Sequence, residues 1–282
     1  NASASLQNGV KGLFGLGGSL GVTEKPTVTY SPLQGDRFIQ RVLSPLPLDT
    51  ITLLFNSGWN IERIFRLCFQ RMNNLKNAPG ASGPTPSRSP YFIEFISAVK
   101  YLRLLQIEDA INLSYQEENG VPQLILNIND ADKNRAEARQ FALAANVEPG
   151  KTRYVLAFSA DSNKTNHIRV VTRSLLGIMF YISQAVEVPS KDISKGKVTQ
   201  TQTRDGKIFD WDKVMGDLLK IRSASEKPQE YPMTIFYRGS WFYINDSDLS
   251  SKSTFSLLSQ IFSLQAGKIK DNAPLLTLPI GQ

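Results

Sequence analysis

The spacing of apolar residues predicts helices most clearly in two stretches of the chain. In 57–75 ("SGWNIERIFRLCFQRMNNL") apolar side chains recur at intervals of three and four residues, the pattern of a helix with one buried face. Asn60 precedes this stripe and is predicted to cap the helix through its side chain. In 91–106 a second stripe predicts another amphipathic helix; its apolar positions are Phe92, Phe95, Ile96, Val99 and Leu102.

Alternating apolar and polar residues predict strands at several other places. Two strands, 109–115 and 122–128, flank Asn119-Gly120, a pair that favours a tight hairpin turn. A hairpin is also predicted in 232–245, turning at Arg238-Gly239, and another about Asp205-Gly206. Single strands are predicted at 26–30, 152–159 and 167–171.

The remaining patterns complete a mixed architecture. Further helices are predicted at 35–43, at 49–56 with Asp49 as N-cap, at 130–146 with Asp130 or Asp132 as N-cap, in the first part of 174–188, and in 253–265. Because helices and antiparallel hairpins are mixed rather than strictly alternating, the sequence predicts an α+β fold.

The domain organisation follows from composition. Residues 1–25 are rich in Ser, Ala and Gly and predict a flexible tether. The rest divides into subdomains 26–188 and 197–282 around a candidate linker at 188–197, or forms one continuous domain; 274–280 is predicted to be an extended tail.

The stretch "FYINDSD" (242–248) places acidic residues in a cluster that suggests a metal site, a catalytic site or the cap of a helix. The following residues have helical spacing, so Asp246, Ser247 and Asp248 fall where free N–H groups and the helix dipole favour such side chains. We therefore expect a cap.

The charge of the chain is unevenly distributed. Its net charge is +7, and residues 151–282 carry 18 Lys and Arg against 12 Asp and Glu. This balance favours anionic partners, but the charges are scattered and favour an ordinary solvated surface.

Three arginines lie off the helical stripe of 57–75: Arg63, Arg66 and Arg71. Either they form an anion-binding face or, as we favour, they form a solvated helix surface.

Several chemistries are disfavoured by the residue types available. The chain has a single histidine, His167, and a single cysteine, Cys68, which lies on an apolar stripe and is predicted to be an inert buried thiol. No Walker or dinucleotide motif surrounds the glycines of 12–21, so no cofactor is predicted. Chemistry with carboxylates alone stays open, through pairs such as Asp210 with Asp212 or Glu117 with Glu118.

Two surfaces are candidates for contact with a partner. One is the Pro- and Gly-rich loop 77–90, with Arg88. The other is the aromatic hairpin, with Arg238, Trp241 and Tyr243. Aromatic residues interleaved with arginine suit nucleic acid, but burial of the hairpin against the C-terminal helix explains the same pattern, and we favour core packing there.

Three stretches carry a resemblance to known proteins: 57–75 with the following "ASGPTP", "RSLLGIMFYISQAVEVP" and "FYINDSDLSSKSTFSLLSQIFSLQ". Together they resemble uncharacterised predicted lipoproteins of Gram-negative bacterial envelopes, over roughly residues 26–280. The resemblance implies a periplasmic protein anchored to the outer membrane by a lipid on a residue ahead of Asn1. It implies no activity.

These observations lead to three functional hypotheses. The first is a non-enzymatic envelope lipoprotein that binds other envelope proteins as an accessory subunit of a complex. The second is a carboxylate-dependent hydrolase acting on polysaccharide or peptidoglycan, which requires two acids in one pocket with at least one raised pKa. The third is a binder of an anionic polymer or nucleic acid, which requires a contiguous basic face; the scattered charges argue against nucleic acid.

Overall fold

The computed structural model describes residues 36–84, 86–159, 161, 163–229 and 233–267. All of them belong to one compact unit that spans Leu33–Asp271. The predicted tether 1–25, the predicted strand 26–30 and the predicted tail 274–280 lie outside the described residues.

The N-terminal half of the described chain contains helices and two pairs of consecutive strands. Its helices are α1 (Asp36–Leu43), α2 (Leu48–Asn56), α3 (Ile61–Cys68), a 3₁₀ turn over Pro79–Ser82, α4 (Ile93–Ile107) and α5 (Ala136–Ala144). Its strands are β1 (Phe69–Met72), β2 (Leu75–Lys76), β3 (Ile111–Glu118) and β4 (Val121–Ile128).

The C-terminal half adds the remaining elements. Its helices are α6 (Leu175–Ser183), α7 (Ser190–Ser194), α8 (Asp212–Met215) and α9 (Leu249–Gly267). Its strands are β5 (Arg153–Ala157), β6 (His167–Thr172), β7 (Arg222–Ala224), β8 (Thr234–Tyr237) and β9 (Ser240–Tyr243).

The main sheet has six strands in the order β2-β1-β6-β5-β4-β3. Its neighbours are antiparallel except β5 and β6, which run parallel. A separate three-stranded antiparallel sheet has the order β7-β9-β8, and we call it the small sheet. Helices combined with mainly antiparallel strands confirm the predicted α+β class.

One face of the main sheet holds the core. Along β6, Ile168, Val170 and Thr172 are buried, while the alternating His167, Arg169 and Val171 are not. Because side chains alternate between the faces of a strand, this pattern gives the sheet one apolar face, against which α2 and α4 pack, and one polar face at β1 and β6.

The long helix predicted for 57–75 is correct only in its first half. Asn60 caps it as expected and accepts from the N–H groups of Glu62 and Arg63, but α3 ends at Cys68. Phe69 and Met72 are fully buried, as the stripe required, yet they lie on β1 beside β6. Pairing with a distant strand therefore overrides the local helical pattern.

Arg173 explains why α3 stops where it does. Its side chain is fully buried and donates to the carbonyl oxygens of Arg66, Leu67 and Phe69 at 2.9, 3.1 and 2.7 Å. The guanidinium also donates to the Asn77 carbonyl and lies 3.8 Å from the Tyr181 ring centre. A positive charge at the negative end of the helix dipole thus bonds carbonyl oxygens that a further helical turn would otherwise satisfy.

Two of the predicted caps are wrong. Helix α2 begins at Leu48 after Pro47, which places Asp49 inside the first turn rather than at the N-cap. Helix α5 begins at Ala136, and neither Asp130 nor Asp132 caps it, because residues 129–135 form turns closed by main-chain bonds from Asp132 and Arg135.

The predicted cap of α9 is confirmed. The Asp248 carboxylate accepts from the N–H and hydroxyl of Ser251 at 3.0 and 2.6 Å. Asp246, the other acid of this cluster, pairs with Lys252. The cluster therefore serves the start of the helix, as its sequence context predicted.

The interpretation of Arg66 as solvated is wrong. Its side chain is 2% exposed and pairs with the carboxylates of Glu62 and Asp217 at 3.1 and 2.7 Å. Arg63 also points into the structure and donates to the Ser250 carbonyl at 2.8 Å. These arginines join α3 to the segment after α8 and to α9, a contact between distant parts of the chain that helical spacing alone does not reveal.

Candidate functional site

The first candidate site is the small sheet, whose edge strand β8 is unusually apolar and exposed. Ile235, Phe236 and Tyr237 are 70%, 58% and 61% exposed. The sequence pattern predicts that core packing buries this hairpin against the C-terminal helix. For β8 that prediction is wrong, because side chains on both faces of the strand reach solvent.

The register of the hairpin defines which main-chain groups are free. The turn residues Arg238 and Gly239 have φ of 49° and 76°, as a two-residue hairpin turn requires, and Tyr237 faces Ser240. In such a hairpin, alternate residues direct their N–H and C=O groups away from the partner strand, which for β8 are Thr234 and Phe236. Among the described residues β8 pairs with β9 only.

The structure brings three of the four predicted partner-surface residues into this sheet. Trp241 is half-buried on β9, and its ring centre lies 5.0 Å from that of Phe236. The Lys227 ammonium lies 5.4 Å from the centre of the Trp241 ring. Tyr243, also half-buried, lies opposite Arg222 of β7. Arg238 is exposed at the turn. The small sheet therefore carries a cationic and aromatic surface.

Arg88, the fourth predicted residue, belongs to a different element. It is exposed in the loop 77–90 and forms a parallel bridge with Gln202. The main-chain N–H of Ser89 donates to the Gln202 carbonyl at 2.9 Å. Gln202 also bridges to Ile208 across the predicted Asp205-Gly206 turn, which is a short turn with one bridge rather than a full hairpin.

The second candidate site is a cleft of about 880 Å³ that the sequence did not predict, and we call it the basic cleft. It lies at the polar face of β1 and β6, beside the loops that follow β1, α5 and β5. Its lining residues are Arg71, Asn73, Asn74, Asn146, Val147, Glu148, Asp161, Lys164, Thr165, His167, Arg169 and Val171.

Asn73 fixes the geometry of this cleft. It adopts a left-handed backbone conformation with φ of 46°, which asparagine tolerates better than most residues. Its side chain donates to the Ala145 carbonyl at 2.7 Å and accepts from the Arg169 N–H at 2.8 Å. One amide therefore ties the turn after β1 to the end of α5 and to β6.

The cations of the basic cleft have no counterion there. Arg71, Lys164 and Arg169 form no ion pair with any described residue. Burial and the nearby Lys164 charge lower the pKa of His167, so its imidazole is neutral at pH 7. Hydrogen bonds from Thr165 and then Lys151 lower the pKa of Glu148, which is therefore ionised.

The acids named from the sequence do not form a recognisable acid-base pair. Asp210 and Asp212 line another cleft, of about 580 Å³, where Asp212 pairs with Lys220 at 2.5 Å and Asp210 accepts from the Asp212 N–H. Glu117 and Glu118 are successive strand residues and point to opposite faces of β3. The described acids with a displaced pKa all shift downward: Glu148, Asp205, Asp217 and Asp248.

The described ranges contain neither a metal-binding cluster nor a membrane-spanning helix. These residues contain no group of three or more His, Cys, Asp and Glu placed to hold a metal ion. None of the helices in the described ranges is both long and apolar enough to cross a membrane. Cys68 is fully buried, as predicted, and burial raises the pKa of its thiol to about 12.

Comparisons with known proteins give no family for this chain. No protein-family model, no curated protein and no solved structure matches it. Function must therefore be argued from the two sites themselves.

Proposed function

We propose that this protein is a non-enzymatic accessory subunit of a cell-envelope complex and that it binds a partner protein through the edge strand β8. The observation that carries the proposal is the exposure of Ile235, Phe236 and Tyr237 on a strand whose outer edge pairs with none of the described residues. An exposed apolar edge strand tends to pair with another chain, so isolated proteins usually protect such strands with charges, prolines or a covering element.

The chemistry of β8 suits an extended segment of another protein. The outward N–H and C=O groups of Thr234 and Phe236 supply the main-chain bonds for an added strand. The side chains of Ile235, Phe236 and Tyr237 supply apolar and aromatic contacts, which are enriched at the centres of protein interfaces.

The envelope location in this proposal comes from the resemblance of three sequence stretches to predicted Gram-negative lipoproteins. An outer-membrane lipid anchor and envelope partners belong to the same proposal. The hydrolase alternative has weaker support, because the displaced carboxyl pKa values lie in the wrong direction for a carboxylic acid kept protonated near neutral pH.

The test combines site-specific cross-linking with one backbone substitution. A photo-reactive amino acid is placed at Tyr237 and, as a matched control, at Leu104, which is 47% exposed on α4. In native envelopes we expect a defined cross-linked protein from position 237 that is absent from position 104. Phe236→Pro should abolish that product, because it removes an outward N–H that β9 does not use.

Reconstitution with the purified cross-linked protein then identifies the binding mode. Hydrogen exchange of the amides of Thr234 and Phe236 should slow on binding, since an added strand would accept from them. Identical products from positions 237 and 104, or unchanged exchange of these amides in the complex, would refute strand addition.

A further inference from the structure

The basic cleft has a lining that the contact surface on the small sheet does not explain. It is separate from β8 and its neighbours, so binding of a ligand there does not depend on the proposed function. Unpaired cations are common on protein surfaces, but here three of them line one concave site with amides and carboxylates. A volume of about 880 Å³ is of the size that binds small organic ligands.

The floor of the cleft is formed by two strands. Arg71 of β1 lies opposite Val171 of β6, and Arg169 lies two residues before Val171, so both arginines are on the same face. His167 is a further two residues along that face. Arg71 and Arg169 have fork-shaped donor groups that match the oxygens of a phosphate.

The walls of the cleft carry a different chemistry. Asn74 and Asn146 contribute side-chain amides that bond to no described group, and Asn146 is held with φ of 55°. Glu148 and Asp161 contribute carboxyl groups, whose oxygens accept hydrogen bonds from hydroxyl groups. A ligand that satisfies floor and walls together needs an anionic group at one end and several hydroxyls at the other.

We propose that the basic cleft binds a phosphorylated sugar, with the phosphate on Arg71 and Arg169 and the sugar hydroxyls on the amides and carboxylates of the walls. The mixed lining argues against a long anionic polymer, because Glu148 and Asp161 would repel its repeated charges. Asn73 positions the site: its bonds to β6 and to the end of α5 keep floor and wall in register.

The single histidine makes this inference directly measurable. His167 is the only imidazole of the chain, so its ring signals in an NMR spectrum need no assignment among several histidines. We expect glucose 6-phosphate to shift these signals saturably. It should also raise the pKa of His167, because a bound dianion stabilises the imidazolium. Neutral glucose at the same concentration should do neither.

Substitutions distinguish binding of the phosphate in the cleft from nonspecific electrostatic attraction to the basic surface. Arg71→Ala with Arg169→Ala should weaken glucose 6-phosphate binding by at least about tenfold, since each charge-assisted contact contributes strongly. The matched control is Arg139→Ala, which removes an exposed arginine of α5 outside the cleft lining and should leave binding unchanged. All three arginines are exposed, so the variants should retain the unfolding midpoint of the parent chain.

Asp161→Asn tests the sugar end of the site. It should weaken glucose 6-phosphate binding while leaving inorganic phosphate binding equal or tighter, because one of the two acceptor oxygens becomes an NH2 donor and the negative charge is removed. Vesicles that display a phosphorylated sugar head group distinguish a lipid source from a free one: tighter binding of vesicles assigns the lipid, and equal binding assigns the soluble sugar phosphate.

Three results would overturn the proposal. One is the absence of a saturable shift of His167 with glucose 6-phosphate. Another is equal affinity for glucose 6-phosphate and inorganic phosphate, which would leave no role for the walls. The third is an equal effect of the double arginine variant and of Arg139→Ala.

Discussion

The two sheets of this protein differ in how they are supported. The main sheet packs one face against helices and is held at β1 and β6 by the fully buried Arg173. The small sheet buries Ser240, and Ile244 directly after β9 is buried as well, but Ile235, Phe236 and Tyr237 lie in solvent. The first is therefore a scaffold whose apolar side chains are committed to the fold, whereas the second retains apolar groups that no described element covers.

This difference predicts where substitutions act on stability and where they act on binding. Changes at the buried arginines should lower the free energy of unfolding strongly. Changes on β8 should leave it nearly constant and affect only association.

Arg173→Ala should lower the free energy of unfolding by about 3–5 kcal/mol or prevent folding, because several buried carbonyls lose their donors together. Urea denaturation measures the loss. Arg169→Ala is the matched control, since that arginine is exposed on β6 and its removal should change stability by less than about 0.5 kcal/mol. Equal losses from both variants would contradict the scaffold role of Arg173.

Asp217→Asn should have a smaller effect, of about 1 kcal/mol, because this carboxylate is 58% exposed and solvent screens its attraction to Arg66. Partial burial acts to raise the pKa of Asp217, but hydrogen bonds from Arg66 outweigh it and the pKa lies below its usual value.

The pH dependence of that interaction has a definite sign. A carboxyl group whose pKa is lower in the folded state stabilises the fold above its unfolded pKa of about 3.9, and this contribution is lost as pH falls through the folded pKa. Denaturation at neutral pH and at roughly pH 3 should therefore show a smaller acid-induced loss in Asp217→Asn than in the parent chain. If Asp217→Asn lost as much stability in acid as the parent chain, Asp217 would not contribute to the pH dependence of folding.

Asp248→Ala should cost about 1 kcal/mol by removing the acceptor for Ser251 at the start of α9. Asp248→Asn should retain most of that stability, since an asparagine side chain caps comparably well. Thermal unfolding of both variants compares them. If Asp248→Asn lowered stability as much as Asp248→Ala, the negative charge of Asp248 would have a role beyond capping. A metal site at this cluster would then again be a candidate.

Phe236→Ser should change the free energy of unfolding by less than about 0.5 kcal/mol, because its side chain is 58% exposed. Phe95→Ala gives the contrast: that ring is fully buried in α4, and its removal should cost about 3–5 kcal/mol. A large loss from Phe236→Ser would show that β8 supports the fold rather than a partner.

Local sequence determined the elements whose signals are complete within a few residues. The hairpins at Asn119-Gly120 and Arg238-Gly239, the helix α4, and the caps Asn60 and Asp248 all follow from turn chemistry, apolar period or side-chain acceptors close in the chain. The sequence likewise identified Arg238, Trp241 and Tyr243 as one group, because a single hairpin holds them.

Tertiary structure decided everything that depends on distant partners. The end of α3 at Cys68 depends on Arg173, and the burial of Arg66 depends on Asp217. β8 is exposed because no described element packs over it. The basic cleft joins Arg71 to Arg169 through β1–β6 pairing and brings Asn146 beside them through the bond from Asn73 to the Ala145 carbonyl, and no short-range pattern encodes either contact. Sequence patterns report periodicity and local bonding, whereas the sites arise where separate segments meet.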